Sequence, residues 1–378
     1  MNIGIDKLGF YAPKNTLDLR VLAQARNIDP DKYTLGLGQK KMALPSLSED
    51  VITMAAEAAS SIISKQDIQD IDMVLFATET AVDFSKAAGI YLHDLLNLNP
   101  HTRVVELKQA CYAATAALFM AIDHVKAHPN KKVLVLASDV AWYGFETAGE
   151  ATQGAGAIAM IVSKDPKIAQ VFDGTTVVKN RSDFYRPSYS SVPMVDGKLS
   201  IESYKSILKE ADLKRAFDYV CFHMPFAKMA NKANDALTYP ICDEHVNHVK
   251  GFGQDIGNIY NGSLYLSLLS VLMLSEKDLS DETIGLFSYG SGAIGEFFTA
   301  TIVPSYKQGI NETFILDVMN TRQYLSMTEY TETMSMVEKR ETSDTFTLDE
   351  RYIEKHQQFV LSKIVKGHRE YKKVSKAL

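Results

Sequence analysis

Two stretches of this 378-residue chain are apolar on nearly every side at helical length, Ala113 to Val125 (AATAALFMAIDHV) and Leu264 to Leu274 (LYLSLLSVLML). A helix of that kind has no face to give to water and belongs in an interior. Each sits in a similar order of elements. Asp72-Met-Val-Leu-Phe-Ala and Asp218-Tyr-Val-Cys-Phe-His are buried-type strands introduced by an aspartate, and each runs straight into a polar residue. Downstream, Gly154-Ala-Gly-Ala-Ile-Ala matches Gly290-Ser-Gly-Ala-Ile-Gly, glycine-rich turns leading into apolar strands. Strands alternating with helices indicate α/β architecture. The economical assembly of two such halves sets the buried helices back to back between two sheets, with amphipathic helices outside, in five layers αβαβα. We read the halves as residues 1–165, with Glu79 and Cys111, and 166–378, with His223 and Asn258.

One outer helix is expected after Ser46-Leu-Ser-Glu49, a capping-box pattern followed by Val51, Ile52, Ala55, Ala58, Ala59 and Ile62 on one stripe. The Ser-, Tyr- and Pro-rich segment 180–206 reads as an excursion between the halves. The charged stretch from Glu329 to Arg351 reads as a solvated face or mobile loop, and the basic closing segment from Lys363 as a surface helix with a frayed end.

Charge and composition narrow the function. A formal charge of −6 is not the footprint of a general nucleic-acid binder. No secretory signal pattern opens the chain, and its apolar runs stop short of the roughly 20 residues that a membrane span needs. The expectation is a cytoplasmic protein without a membrane partner. Three cysteines, Cys111, Cys221 and Cys242, with no C-x-x-C pair, argue against a disulfide framework and a thiolate zinc site. His245 and His248 share a helix face but lack an evident third ligand, so no metal is expected.

Chemistry must then come from side chains at the ends of strands. Cys111 follows the apolar run Val104 to Leu107 and stands just before the first buried helix. There the positive end of the helix dipole would favour the thiolate of an acyl-accepting nucleophile. The alternative is a small core cysteine. Glu79, in Thr78-Glu-Thr80, emerges from a strand at the end where α/β folds gather their catalysts, and His223 emerges from the matching strand of the second half. If these three are catalytic, they converge on one acyl-sized space. The turn Gly290-Ser-Gly292 has backbone N–H groups that could hold an oxyanion. Cys221 reads as core, and Cys242 carries no assigned role.

Together these pieces resemble the thiolase superfamily, a duplicated αβαβα fold with a cysteine nucleophile before a buried helix. Several stretches resemble the hydroxymethylglutaryl-CoA synthase family specifically: Asp31-Lys-Tyr-Thr-Leu-Gly-Leu-Gly-Gln39, Thr78-Glu-Thr80, Gln109-Ala-Cys-Tyr-Ala-Ala114, Thr152 with Gly154-Ala-Gly, Asp196-Gly-Lys-Leu-Ser200, His223-Met-Pro-Phe226, Gly257-Asn-Ile-Tyr260 and Ser288-Tyr-Gly-Ser-Gly292.

The resemblance implies that Cys111 takes an acetyl group from acetyl-CoA, Glu79 removes a methyl proton, and the enolate attacks acetoacetyl-CoA. Water then releases the product, in the mevalonate route to isoprenoids. It implies that His223 and Asn258 contact the attacked oxygen, with Tyr143, Thr152, Ser200 and Ser291 near the acyl portion. Lys228 and Lys232 would lie near the CoA chain or phosphates, and Asp29 near the entrance. Asn261 stands where the family pattern has threonine, which makes it a second candidate to face the site beside Asn258, the asparagine that the motif Gly257-Asn-Ile-Tyr260 favours. No cofactor beyond the CoA thioesters is implied, and a homodimer is. The rival readings are a decarboxylating ketoacyl-carrier-protein synthase III type of condensation, which needs no carboxylate base, a cysteine thioesterase or hydrolase, and a non-catalytic acyl-CoA binding protein.

Overall fold

The computed structural model describes residues 1–190 and 192–374. Eleven strands and six helices suffice to place the site. The strands are β1 (Ile3–Tyr11), β2 (Ile71–Ala77), β3 (Arg103–Leu107), β4 (Lys132–Ala141), β5 (Gly154–Lys164), β6 (Ala169–Val178), β7 (Val220–Phe222), β8 (Thr283–Gly290), β9 (Ile294–Ile302), β10 (Phe359–Val365) and β11 (His368–Lys373). The helices are α1 (Val51–Ser60), α2 (Ala113–Ala127), α3 (Gly197–Ala211), α4 (Lys228–Asn234), α5 (Ser263–Leu274) and α6 (Met327–Glu341).

The first nine strands lie in the order β7-β8-β9-β6-β1-β5-β4-β2-β3. The duplication is visible in the pairing. In the first half β2 runs parallel to β4, and β4 antiparallel to β5. In the second half β7 runs parallel to β8, and β8 antiparallel to β9. The sheets meet where β1 touches β6 through Gly4 opposite Gln170 and Ile5 opposite Ala169. A Cβ at Gly4 would stand 2.0 Å from the Ala169 carbonyl oxygen, so only glycine permits that junction.

Helix α2 packs on β4, β5 and β2, while α5 packs on β7 and β8. The two helices face one another, with the Thr115 hydroxyl 2.9 Å from the Tyr265 hydroxyl. Every residue of α5 from Ser263 to Leu272 is buried, as its all-apolar sequence demands. Outside, α1 covers β5, β1 and β4, and α3 covers β9 and β6. This is the five-layer arrangement expected from the sequence. No helix among the described residues is long and apolar enough to cross a membrane.

Four local expectations are corrected. Helix α1 is capped by Asp50, whose carboxylate accepts from the Ile52 and Thr53 amides, while the Thr53 hydroxyl returns a bond to the Asp50 backbone. Ser46 lies in the preceding turn, its hydroxyl on Ser48 and its amide on the Glu49 carboxylate. The excursion ends at Asp196, because Tyr204, Ile207 and Leu208 form the buried face of α3. The charged stretch from Glu329 lies largely in α6, where Tyr330, Met334 and Val337 make an apolar stripe beneath a charged face. The basic closing segment is the hairpin β10–β11, because Lys366 and Gly367 both take positive φ and turn the chain back. Its last residues, 375–378, lie outside the described set.

The loop entering α5 is set by Gly257, at φ +89°, where a Cβ would stand 2.0 Å from the Gln153 carbonyl oxygen. Gly257→Ala is therefore expected to destabilise the protein by ~1–3 kcal/mol and to displace Asn258. Urea denaturation checks the first, and an unchanged midpoint would contradict the close approach.

Candidate active site

The site begins with a carboxylate that the sequence analysis did not single out. Asp139, near the end of β4, is fully buried. Its Oδ1 accepts from the Thr78 hydroxyl at 2.8 Å, the Glu79 amide at 2.7 Å, the Thr80 amide at 3.2 Å and the Thr80 hydroxyl at 2.9 Å. These bonds fold the chain after β2 back over the strand end and fix the base of Glu79. Its Oδ2 accepts from the backbone and side-chain N–H groups of Asn261, at 3.2 and 3.0 Å. Asn261 Oδ1 in turn accepts from the Ala114 amide at 3.1 Å, so the first turn of α2 is capped from the other half of the molecule. One buried carboxylate thus ties together the Glu79 loop, the entry to α5 and the helix that follows Cys111.

That frame brings Cys111 against Glu79, with the thiol donating to Oε1 at 2.7 Å. Both residues keep part of their surface open, but the packing around them and their charged neighbours set their acidity. Burial, opposed by the Cys111 hydrogen bond and Arg186 and reinforced by the Asp139 charge, pushes the Glu79 carboxyl up to about 8. Burial and the negative charges of Glu79, Asp139 and Asp183 push the Cys111 thiol well above its ordinary value. This corrects the expectation of a dipole-stabilised thiolate: burial, reinforced by three carboxyl groups, outweighs one helix end, and the resting sulfur is a protonated thiol hydrogen-bonded to Glu79.

The other expected residues divide into two sets. Asn258 lies with the pair: its Nδ2 donates to the Tyr143 hydroxyl at 3.3 Å, and its Oδ1 accepts from the Tyr260 amide at 2.9 Å. Tyr143 and Tyr260 meet edge to face, 6.4 Å between ring centres, and the charges of both Cys111 and Glu79 act on each phenol. The Ser291 carbonyl accepts from the Gln109 side chain at 3.3 Å. His223, buried at the end of β7, has its amide bonded to the Phe287 carbonyl and its Nδ1 without a partner. Burial drives its pKa down to about 3, so its ring is neutral at physiological pH.

Among the described residues, no hydrogen bond joins His223, Thr152, Ser200, Lys228, Lys232 or Asp29 to Cys111 or Glu79. Thr152 bonds the Gly149 carbonyl, Ser200 lies on α3, and Asp29 caps the Asp31 amide. Lys228 and Lys232 lie on α4, the first exposed and the second over the Phe226 ring. The Gly292 amide, a candidate oxyanion donor from the sequence, is occupied by Asp183 at 2.9 Å. His245 and His248 contact the Asp218 carbonyl and the Tyr219 hydroxyl, Cys221 is buried in β7, and Cys242 is exposed.

Beyond Glu79 opens a cavity of about 550 Å³, with Thr80, Gln109, Tyr260 and Ser291 also on its near wall. This site sits in a chain whose residues 1–167 match the family description "Hydroxymethylglutaryl-coenzyme A synthase N terminal" and whose residues 236–373 match the C-terminal counterpart. A hydroxymethylglutaryl-CoA synthase of Enterococcus faecalis is 41% identical over 87% of this chain and 91% of its own length. The chain belongs to the hydroxymethylglutaryl-CoA synthase family. A crystal structure of an HMG-CoA synthase complexed with CoA superposes with a TM-score of 0.90 at 38% identity, covering 99% of this chain and all of that one. The structure of MvaS in complex with 3-hydroxy-3-methylglutaryl coenzyme A gives 0.88 at 29% identity, covering 99% of each.

Within this hydroxymethylglutaryl-CoA synthase fold, sequence reasoning missed Asp139, Asp183 and Arg186. Asp139 carries the same signal as Glu79, an acidic residue where an apolar strand turns polar. Asp183 and Arg186 lie in the excursion. Asp183 accepts from the Tyr289 hydroxyl at 2.7 Å, and Arg186 donates to the Glu79 carbonyl at 2.5 Å, so that segment is pinned against the site.

The raised acidity constant of Glu79 has a measurable cost. Native Glu79 holds its proton up to about pH 8, whereas the unfolded chain releases it near 4.5. Between those values the native state binds the extra proton, so stability is lost as pH rises through the window, by about 2–4 kcal/mol. Glu79→Gln removes this fall. Its melting temperature is expected to exceed the parent's at pH 8.5 and to approach it at pH 4.5, and parallel curves would rule out the buried carboxyl as the source.

Proposed function

We propose that the protein condenses acetyl-CoA with acetoacetyl-CoA and water to give 3-hydroxy-3-methylglutaryl-CoA and CoA, through an acetyl thioester on Cys111. The observation that carries this reading is the 2.7 Å contact between the Cys111 thiol and a carboxyl poised near pH 8. A base is most effective when its pKa lies near the working pH.

Glu79 takes the thiol proton as sulfur attacks the acetyl carbonyl and returns it to the departing CoA thiolate. It then takes a methyl proton from acetyl-Cys111, whose thioester keeps that proton acidic. The carbanion attacks the acetoacetyl ketone, and the alkoxide recovers the proton. Water cleaves the thioester and restores the thiol. His223, held neutral by burial, donates an N–H to the developing oxyanion rather than a full positive charge. Asn258 donates beside it. Donors of this type are each worth ~3 kcal/mol at a transition state. Tyr143, Thr152, Ser200 and Ser291 surround the acyl groups, Lys228 and Lys232 approach the CoA chain or phosphates, and Asp29 stands at the entrance.

The product is the precursor of mevalonate in isoprenoid synthesis. Three free thiols fit a reducing cytoplasmic setting. A homodimer is supported by β3, an edge strand of the large sheet with an exposed Val105, which invites pairing across a two-fold axis.

Two experiments test the chemistry. Intact-protein mass spectrometry after mixing with acetyl-CoA should show one acetyl adduct on Cys111 that disappears when acetoacetyl-CoA is added. Cys111→Ser should lose about 10⁴-fold or more in kcat, and a protein that acquires no adduct would defeat the proposal. The acid limb of the pH–kcat/KM profile should rise through about pH 8, as Glu79 ionises. Asp139→Asn removes a neighbouring negative charge and should move that limb down by about one pH unit while lowering kcat. An unmoved limb would show that another group titrates.

A further inference from the structure

The wall of the cavity beside Glu79 carries four cations, Lys108, Arg186, Arg340 and Arg369. Two of them are engaged within the protein. Arg369 pairs with Asp50 at 3.0 Å and with Glu341, and Arg340 pairs with Glu341 and donates to the Leu47 and Glu49 carbonyls at 2.7 and 2.9 Å. Arg186 is different. Among the described residues it makes no ion pair and a single hydrogen bond, to the Glu79 carbonyl at 2.5 Å. Asp183, earlier in the same segment, is held by the Tyr289 hydroxyl and the Gly292 amide instead. A guanidinium is a rigid fork of several N–H donors, and all but one of those on Arg186 stay without a protein partner. An uncompensated positive charge is therefore anchored to the backbone of the residue whose carboxyl touches sulfur. Lys108 has no contact that ties it to that pair.

The reaction proposed above leaves one new charge, and leaves it there. The acetyl and acetoacetyl groups are neutral. In the last step the oxygen of water bonds to the acyl carbon and the C–S bond breaks. Sulfur departs as the thiol with one proton of the water, the acyl carbon remains as a carboxylate, and the second proton passes to solvent. That carboxylate forms where the charges of Asp139 and Asp183 already oppose an anion, as the protonated Cys111 thiol shows. A nearby cation offsets this repulsion, and the fork of an arginine matches the two oxygens of a carboxylate. We propose that Arg186 receives the carboxylate released from Cys111, and so makes the site discriminate the product from the neutral acyl substrates. The inference deepens the function proposed above and rests on it.

The test is titration calorimetry on the full chain carrying Cys111→Ala, so that no ligand reacts with sulfur. Three ligands share the CoA portion: 3-hydroxy-3-methylglutaryl-CoA, acetoacetyl-CoA, and 3-hydroxy-3-methylbutanoyl-CoA, which is the product without its carboxylate. Adding Arg186→Gln should raise Kd for the first by about ten- to hundredfold, the range for a hydrogen-bonded charge, and for the other two by less than about threefold. Arg186→Lys, which keeps the charge and loses the fork, should fall between. Retained binding of the two neutral acyl ligands shows that the variant is folded. Equal weakening of all three would put the guanidinium on a CoA phosphate and overturn the proposal, and so would unchanged binding of the carboxylate ligand. Either result leaves the condensation standing. An unaltered protein that binds none of the three would overturn this inference together with the function on which it rests.

Discussion

Asp139 is a charge taken wholly out of water at the seam between two halves, and six hydrogen bonds to its two oxygens hold it there. A buried carboxylate without such partners costs several kcal/mol. The chain around it is therefore constrained to supply them, and the constraint arranges the site. The loop 78–80 must present two amides and two hydroxyls to one oxygen, which leaves the Glu79 side chain pointing at Cys111. Asn261 must present two donors to the other oxygen, which leaves its own carbonyl free to cap α2. Three elements distant in sequence share one electrostatic requirement.

The same arrangement sets the acidity of the reacting groups. Burial raises the Glu79 carboxyl, and the charge of the carboxylate that organises the loop adds to it, bringing the group to about 8. The sulfur is stabilised as a thiol by burial and by its acidic neighbours, with the Glu79 carboxyl at hydrogen-bond distance. The site therefore trades stability for a carboxyl that titrates near pH 8, as functional carboxyls in water-poor surroundings do. Asp183 and Arg186 extend the frame outward by anchoring residues 183–186 on the β8–β9 turn and on the Glu79 backbone.

Legibility in the sequence followed the range of the interaction. Helices α2 and α5 were readable because an all-apolar helix has a single destination. Glu79 and Cys111 were readable because a polar residue at a strand end and a cysteine before a buried helix are local signals. The start of α1 was misread at Ser46, since two capping patterns lie four residues apart and only the extended backbone at Asp50 selects between them. The hairpin β10–β11 was misread because its lysines suit an exposed helix, while the evidence against one is the positive-φ pair Lys366-Gly367. The direction of the Cys111 shift was misread because the helix was visible in sequence, whereas the burial of the thiol and its three carboxyl neighbours arise only on folding.

By itself the sequence determined the two buried helices, the strands that lead to Glu79 and His223 and the duplication, since apolar periodicity and strand-end residues are properties of short segments, and its motif stretches carried the resemblance to the family. Tertiary structure alone decided which asparagine caps α2 and which lies beside Tyr143, that the Gly292 amide is occupied, that Glu79 stands 2.7 Å from sulfur, and that a cavity of about 550 Å³ opens beside it. The reason is electrostatic and steric: a hydrogen bond, a pKa and a cavity depend on which groups lie within a few ångströms, and here those groups come from both halves of the chain.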